Sequence, residues 1–199
     1  MTPIQTPIQE KIQAQKGYYS PSEYLELEEV AAFRSEYHDG EIVPMTAGTA
    51  EHNQIAINLV TFLRSLLKGK DYRLYINDMR LWIPECREYT YPDVMLIEGK
   101  PLFEGDRRNT IINPSVIIEV LSNSTKNYDK GEKFDYYRTI PEFKEYILVE
   151  QYRPYVAQYK KTNEGWLLNE YQSLDAVLMM YAIAIQIPLT EIYDLVDFI

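Results

Sequence analysis

Two acidic residues lie in sequence runs that are otherwise built for burial in a β-sheet. Asp93 begins a short apolar run, and Glu119 lies in the middle of the apolar run 116–121. Because alternate side chains of a strand share a face, Glu119 is expected to face the same way as Ile117 and Leu121. An ionised glutamate among aliphatic side chains is costly unless it is paired or binds a cation. These two acids are therefore the first candidates for a chemical site.

The chemistry open to the two carboxylates depends on whether their strands are neighbours. Two facing carboxylates repel each other, which raises the pKa of one of them unless positive charge lies between them. A divalent cation removes that repulsion, and carboxylate oxygens are hard ligands that suit Mg²⁺ or Mn²⁺. The other interpretation is that Glu119 forms a salt bridge and that Asp93 caps its strand. Spacing alone leaves both interpretations open.

Strands and hairpins make up most of the framework that must position these acids. The apolar pattern predicts single strands at 72–78, 80–84, 93–98, 115–122 and 143–150. Two hairpins are predicted in addition, one at 35–45 with an Asp39-Gly40 turn and one formed by 153–161 with 165–172.

Helices are predicted between and around these strands. Ser20, Pro21 and Glu23 have the spacing of a helix start with a capping box. The remaining helices are predicted at 51–67, at 128–140 despite Gly131, and at 189–196 with Thr190 as its cap. This order of elements predicts an α/β chain of the α+β kind, with a mixed β-sheet flanked by α-helices.

Composition and charge limit the class of protein. The 199 residues, 46% of them hydrophobic, fit a single globular domain at 18–199, and the repeated "TPIQTPIQ" predicts a flexible tail at 1–17. The net charge of −10 weighs against a broad nucleic-acid surface, although it is compatible with a metal-bridged contact in one cleft. The eighteen tyrosines predict rings at sheet edges and core margins, and a base-stacking surface or a dimer interface is the alternative.

Cysteine content and hydropathy predict the cell compartment. Cys86 is the sole cysteine, so an internal disulfide is excluded and a reducing cytoplasmic location is expected. The N-terminus lacks a basic region followed by an apolar stretch, which predicts that there is no signal peptide. The apolar segment 176–189 is short and is interrupted by Gln186 and Pro188, so no membrane association is predicted.

A family resemblance rests on several stretches in a fixed order. "YHDGEIVPM", "EHNQIAINL", "YPDVMLIEG", "VIIEVLSNST" and "YDKGEKFDYYRTIPEFKEYILVE" together resemble the Uma2 family of restriction-endonuclease-like proteins. That family is abundant in cyanobacteria and belongs to the PD-(D/E)xK nuclease superfamily. The resemblance covers most of residues 20–195. It implies a restriction-endonuclease-like mixed β-sheet flanked by α-helices, with additional β-hairpins, and with the two acids on central strands.

The resemblance also implies a metal site and a substrate. The superfamily's metal ligands correspond here to Asp93, Glu119 and the backbone carbonyl of Val120, which would hold Mg²⁺ or Mn²⁺. A metal in that position polarises the scissile phosphate and generates hydroxide from water. The implied substrate is DNA. A homodimer is also implied, because paired sites in this superfamily cut both strands.

One element of the superfamily pattern is missing. The lysine expected two residues after the glutamate falls on Leu121. The family pattern implies a lysine that has migrated to the following helix, where Lys133 is the match, Lys130 the alternate and Lys126 the third choice. Lys133 would lie on one helical face with Tyr137, four residues on. A helical lysine that is merely solvated is the alternative interpretation.

Two further residues are candidates for the cleft. The resemblance implies an extra acid from an early element, for which Glu41 is the candidate, although a charged residue after a turn is commonly just exposed. His52, at the start of the second helix, has a near-neutral pKa suited to proton transfer, or else simply faces solvent. His38 has no partner that the sequence reveals and is not a candidate.

Two functional hypotheses follow. The first is a metal-dependent DNA endonuclease that uses Asp93, Glu119 and Lys133. The second is a non-catalytic protein that retains the nuclease fold as a DNA-binding or protein-interaction module, which the acidic net charge and Leu121 favour.

Overall fold

The structure is a computed structural model that describes residues 17–122 and 126–198, with the backbone alone at 126 and 127. Of the predicted tail, residues 1–16 lie outside the described residues. The helices are α1 (Pro21–Val30), α2 (Ala50–Leu66), α3 (Lys126–Lys130), α4 (Glu132–Tyr137) and α5 (Leu189–Ile192). The strands are β1 (Ser35–His38), β2 (Glu41–Pro44), β3 (Tyr72–Ile76), β4 (Arg80–Ile83), β5 (Glu88–Thr90), β6 (Val94–Glu98), β7 (Phe103–Glu104), β8 (Arg107–Ile111), β9 (Val116–Leu121), β10 (Glu145–Glu150), β11 (Val156–Thr162), β12 (Gly165–Tyr171), β13 (Val177–Met180) and β14 (Ile185–Pro188).

Two six-stranded mixed sheets form the framework. We call β12-β11-β10-β9-β6-β3 the central sheet and β2-β1-β5-β4-β8-β7 the outer sheet, and β13 and β14 form a separate hairpin. In the central sheet β9 runs parallel to β10 and antiparallel to β6. The predicted mixed sheet and both predicted hairpins are thus present, while the second six-stranded sheet was not predicted.

The central strand β9 packs on both faces. Val116, Ile118 and Val120 belong to a cluster that includes α2 and the β13–β14 hairpin. Ile117 and Leu121 belong to a second cluster on the opposite face, rich in tyrosine and phenylalanine. The assignment of alternate β9 side chains to opposite faces is therefore confirmed. All six residues of β9 are buried, as expected for a strand covered on both sides.

Local signals explain where the early elements begin and turn. The Ser20 hydroxyl accepts a hydrogen bond from the Glu23 N–H, and the Glu23 carboxylate accepts one from the Ser20 N–H, so the predicted capping box is present. The Asp39-Gly40 turn joins β1 to β2 with φ values of 37° and 111°. A Cβ on Gly40 would lie 2.2 Å from the ring of Tyr18, so both conformation and space require glycine there.

Two predicted helices differ from those observed. The predicted helix 128–140 is divided at Gly131, whose φ of −113° and ψ of −92° separate α3 from α4, and α4 ends at Tyr137. Glycine lacks the side chain that would favour helical dihedrals, and here it permits the break. The closing helix α5 stops at Ile192 and has no side-chain cap, because Thr190 lies inside it rather than before it. In the described residues, no helix is long and apolar enough to cross a membrane.

Candidate metal and nuclease site

The pairing of β6 with β9 brings the two acids together. Val94 pairs with Ile118 in an antiparallel register, which places Asp93, just before β6, beside Glu119. The Asp93 N–H donates to Glu119 Oε2 at 3.1 Å, and the Val120 N–H donates to Asp93 Oδ2 at 2.8 Å. The neighbouring strands on which the metal hypothesis depends are therefore present.

Glu119 is also held from the opposite side by α4. Its side chain is buried, and Oε1 accepts hydrogen bonds from Lys133 Nζ at 3.1 Å and from the Tyr137 hydroxyl at 2.8 Å. Lys133 and Tyr137 reach the same oxygen because residues four apart share a helical face. Both interpretations of Glu119 thus describe part of its environment, since it forms a salt bridge and also lies beside Asp93.

Lys133 lies among three carboxylates. It is 6% exposed, and Nζ lies 3.1 Å from Glu119 Oε1, 3.2 Å from Asp129 Oδ1 and 3.4 Å from Glu36 Oε1. Burial lowers the pKa of Lys133, but the charges of Glu119, Glu36 and Asp129 outweigh burial and raise it well above its ordinary value. The lysine is therefore held in its charged form at the back of the site.

The other two candidate lysines are placed differently. Lys130 Nζ lies 5.7 Å from the centre of the Tyr155 ring, a cation–π contact. The side chain of Lys126 lies outside the described residues. Of the two lysines whose side chains are described, it is Lys133 that joins the acids.

The local charge balance favours a cation near Glu119. Burial raises the pKa of Glu119, Lys133 opposes that shift, and the carboxylates of Asp93 and Asp129 add to it, so the net pKa is raised. Three carboxylates (Glu119, Glu36 and Asp129) thus contact one lysine, and a fourth, Asp93, lies beside Glu119 and His52. Such a cluster disfavours the fully ionised state unless further positive charge is bound.

His52 lies next to Asp93. Its ring Nε2 is 3.1 Å from Asp93 Oδ2. Its backbone N–H donates to the Thr49 hydroxyl, which caps α2. Burial lowers the pKa of His52, but the hydrogen bond and charge of Asp93 outweigh burial and raise it. His52 therefore lies beside Asp93, a neighbour that favours its protonated form.

Glu41 does not join the other candidates. It is exposed on β2 of the hairpin, whereas Glu36 on β1 is 8% exposed and contacts Lys133. Glu36 also accepts a short hydrogen bond from the Thr90 hydroxyl, and its pKa is lowered, because the Lys133 charge and this bond together outweigh burial. An acid from an early element is thus present, but it is Glu36. The local sequence carries little signal of this role, because the partners of Glu36 are distant in the sequence.

His38 has partners that the sequence did not reveal. Its Nδ1 lies 2.6 Å from Glu88 Oε2 and 3.1 Å from the Tyr128 hydroxyl. The prediction that His38 has no partner was therefore wrong. The sequence did not reveal its partners because both are distant from His38 in the chain.

The donor types at Asp93 and Glu119 fit a hard divalent cation. Two carboxylates and the Val120 carbonyl are oxygen ligands, and Mg²⁺ commonly keeps several waters beside one or two carboxylates. Within the described ranges no three His, Cys, Asp or Glu side chains form a metal-holding group, so the protein supplies at most two side-chain ligands here. Such a site requires the backbone oxygen and water to complete its ligand shell.

Comparisons with known proteins show a family likeness. A family model described as "Uma2: Putative restriction endonuclease" matches residues 21–190. Two proteins of Synechocystis sp. are similar: "Uncharacterized protein sll1609" is 42% identical over 156 residues, and "Uncharacterized protein slr1290" is 36% identical over 159 residues. Each alignment covers 78% of this chain, and they cover 88% and 82% of the relatives respectively.

A solved structure shares the fold. The crystal structure of "a putative nuclease belonging to DUF820" from Anabaena variabilis matches with a TM-score of 0.73, covering 88% of this chain and 97% of that chain. The sequence identity is 17%, so this likeness concerns the fold alone. It confirms the predicted restriction-endonuclease-like fold class.

Proposed function

This chain belongs to the Uma2 family of restriction-endonuclease-like proteins, and from that premise we propose that it is a metal-dependent DNA endonuclease. The single observation that carries the proposal is that Asp93, just before β6, lies beside Glu119 on the adjacent strand β9, where the Asp93 N–H donates to Glu119 Oε2 and the Lys133 ammonium lies 3.1 Å from Glu119 Oε1. Paired strand carboxylates with a buried lysine behind them are the residue types that phosphodiester hydrolysis with a metal requires.

The metal would be held by Asp93, Glu119 and the Val120 carbonyl. Mg²⁺ or Mn²⁺, when bound, would polarise the scissile phosphate and lower the pKa of a water molecule. Lys133 and Tyr137 fix Glu119 through Oε1 and so leave Oε2 directed to the Asp93 side. The ammonium of Lys133 adds positive charge close to where negative charge develops on the phosphate.

His52 is suited to move a proton. Its Nε2 lies against Asp93 Oδ2, and the hydrogen bond and charge of Asp93 raise its pKa, so the ring holds a proton more strongly than a free imidazole does. A protonated imidazole in that place can donate to the departing oxygen, while Asp93 holds the ring in orientation. We assign His52 the role of general acid in the proposed reaction.

A non-catalytic module with the same fold is the second candidate. The observation that favours it is the lysine itself, since Lys133 Nζ already contacts three carboxylates and Leu121 occupies the usual lysine position. In such a module the acids and the lysine would be a buried structural network that binds no metal.

Metal binding and DNA cleavage separate the two candidates. We expect Mn²⁺ to bind the wild-type protein in a calorimetric titration and Mg²⁺ to support cleavage of plasmid DNA. Asp93→Asn and Glu119→Gln keep the shape of each side chain and should remove both properties, with cleavage falling by about a thousandfold or more, since metal catalysis supplies several kcal/mol.

Glu41→Gln is the matched control, because it removes the same charge from an exposed strand away from the site. It should bind metal and cleave DNA as the wild type does. A wild-type protein that binds no metal at millimolar concentration would support the module. Cleavage that persists in both Asp93→Asn and Glu119→Gln would rule out this site as the catalytic centre.

The proposed function also bears on the oligomeric state of the protein. We propose a homodimer, because two copies of one site allow both strands of a duplex to be cut. Sedimentation equilibrium of the full chain tests this directly, and a monomer at all concentrations would limit each molecule to nicking one strand.

A further inference from the structure

A second close pair of ionisable groups, of which Glu88 is buried and His38 half-buried, lies beside the proposed site. His38 on β1 and Glu88 on β5 are cross-strand neighbours in the outer sheet, with His38 Nδ1 2.6 Å from Glu88 Oε2. Glu88 is 3% exposed. The Tyr128 hydroxyl, from α3, lies 3.1 Å from the same ring nitrogen. The Glu88 carboxylate and the Tyr128 hydroxyl therefore both hold the imidazole at Nδ1.

The other side of the imidazole faces the lysine network. His38 Nε2 lies 3.7 Å from Glu36 Oε2, and the second oxygen of Glu36 lies 3.4 Å from Lys133 Nζ. The Tyr128 ring also faces Lys133, with Nζ 5.4 Å from its centre. Glu36 is therefore shared between two cations, one on each of its carboxylate oxygens.

We propose that His38 is a positioning residue for Lys133. Protonated His38 neutralises one side of Glu36, so that Lys133 stays with Glu119 rather than being drawn toward Glu36. The consequence for catalysis rests on the proposed nuclease function, whereas the coupling of His38 to Lys133 does not. Among the described residues His38 contacts Glu36, Glu88 and Tyr128 rather than Asp93 or Glu119, so it reaches Lys133 only through Glu36 and Tyr128.

The charges around His38 determine its protonation. Glu36 faces it from its own strand, Glu88 from β5, Tyr128 from α3 and Lys133 from α4. Burial and Lys133 favour the neutral ring, but Glu88 and Glu36 outweigh them, so the pKa of His38 is raised. The proton is therefore held more strongly than on a free imidazole and is lost as the pH rises through that raised pKa.

A spectroscopic titration tests the coupling without any enzyme activity. The chain contains two histidines, so two imidazole signals can be assigned with His38→Gln and His52→Gln. The ¹⁵Nζ signal of Lys133, assigned with Lys133→Arg, should shift at the pH at which His38 loses its proton. This inflection should vanish in His38→Gln and remain in His52→Gln. In Glu88→Gln it should move to lower pH together with the His38 signal.

Each result bears on the proposal. A Lys133 signal that stays constant while His38 titrates, or that follows His52 instead, overturns it, and the wild-type titration alone decides this if a variant fails to fold. Where DNA cleavage is measurable, His38→Gln should lower kcat by about tenfold, typical of a residue that orients a catalytic group, with KM unchanged. A protein that cleaves no DNA would remove the proposed function while leaving the Lys133 titration to test this one.

Discussion

The two faces of β9 carry different chemistry on one backbone. On one face Val116, Ile118 and Val120 pack against a layer made mainly of aliphatic side chains from α2, β13 and β14. On the other face Ile117 and Leu121 flank Glu119, in a layer that contains the rings of Tyr137, Phe143 and Tyr146. Both faces of β9 are therefore packed, and the buried Glu119 carboxylate lies on the face that contains the tyrosine and phenylalanine rings.

The difference shows how a buried charge is tolerated. Tyrosine supplies apolar area and a hydroxyl donor together, so the layer around Glu119 can be packed and still offer hydrogen bonds. The Tyr137 hydroxyl reaches Glu119 and the Tyr146 hydroxyl reaches the Asp129 carbonyl. We therefore expect the aliphatic face to dominate stability and the tyrosine face to combine stability with control of charge. Substitutions on each face test this division.

The largest expected effect is that of Lys133→Ala. Three buried or partly buried carboxylates would lose their shared cation, which costs about 3–5 kcal/mol of unfolding free energy when one partner of a buried ion pair is removed. The loss of unfolding free energy should be larger at mildly alkaline than at mildly acidic pH, because carboxylates that have lost their cation take up protons as the pH falls. Urea denaturation at several pH values measures it. Metal affinity should not fall, whereas turnover should.

Lys130→Ala is the matched control for that change. It removes the same side chain from the preceding helix, where the lysine contacts the Tyr155 ring rather than a carboxylate. Its cost should stay near or below about 0.5 kcal/mol, as for ordinary surface substitutions, and should not depend on pH. Equal costs for the two variants would show that the three carboxylates do not depend on Lys133.

The aliphatic face should respond differently to Ile187→Ala. Ile187 is fully buried in β14, and truncation of a buried isoleucine to alanine costs about 2–5 kcal/mol through lost burial and a cavity. Because no charge is involved, the loss should be the same at all pH values where the protein is folded. Metal binding and turnover of the folded fraction should be unchanged. A pH-dependent loss would mean that the two faces of β9 are not independent.

Much of this framework could be predicted because its signals are local. The capping box at Ser20, the Asp39-Gly40 turn and the alternation along β9 each depend on residues within a few positions of one another. Lys133 was instead implied by the family resemblance, and only its shared helical face with Tyr137 is a local signal. The pairing of Asp93 with Glu119 needed one further condition, that consecutive apolar strands be neighbours, which β6 and β9 satisfy.

The features that could not be predicted depend on contacts between residues that are distant in the sequence. Glu36 meets Lys133 across 97 positions and Thr90 across 54, so its burial leaves little trace in the local sequence. The outer sheet likewise requires β4 to pair with β8 in parallel and β1 to pair with β5. The break at Gly131 was foreseeable from glycine's low helix propensity, but the amphipathic pattern on either side predicted a continuous helix.

The smallest expected effect compares two tyrosines within the charged layer. Tyr137→Phe removes a donor to the Glu119 carboxylate, while Tyr146→Phe removes a donor to a backbone carbonyl, and both rings are fully buried. Hydrogen bonds to charged groups are worth about 1.5–3 kcal/mol and neutral ones about 0.5–1.5 kcal/mol, so Tyr137→Phe should cost more. Burial raises the pKa of Glu119 to about 8, so denaturation of both variants at a pH above that value measures the difference. If Tyr146→Phe costs as much as Tyr137→Phe, Glu119 is not ionised in the folded protein without metal, and the contrast between the faces is one of packing rather than charge.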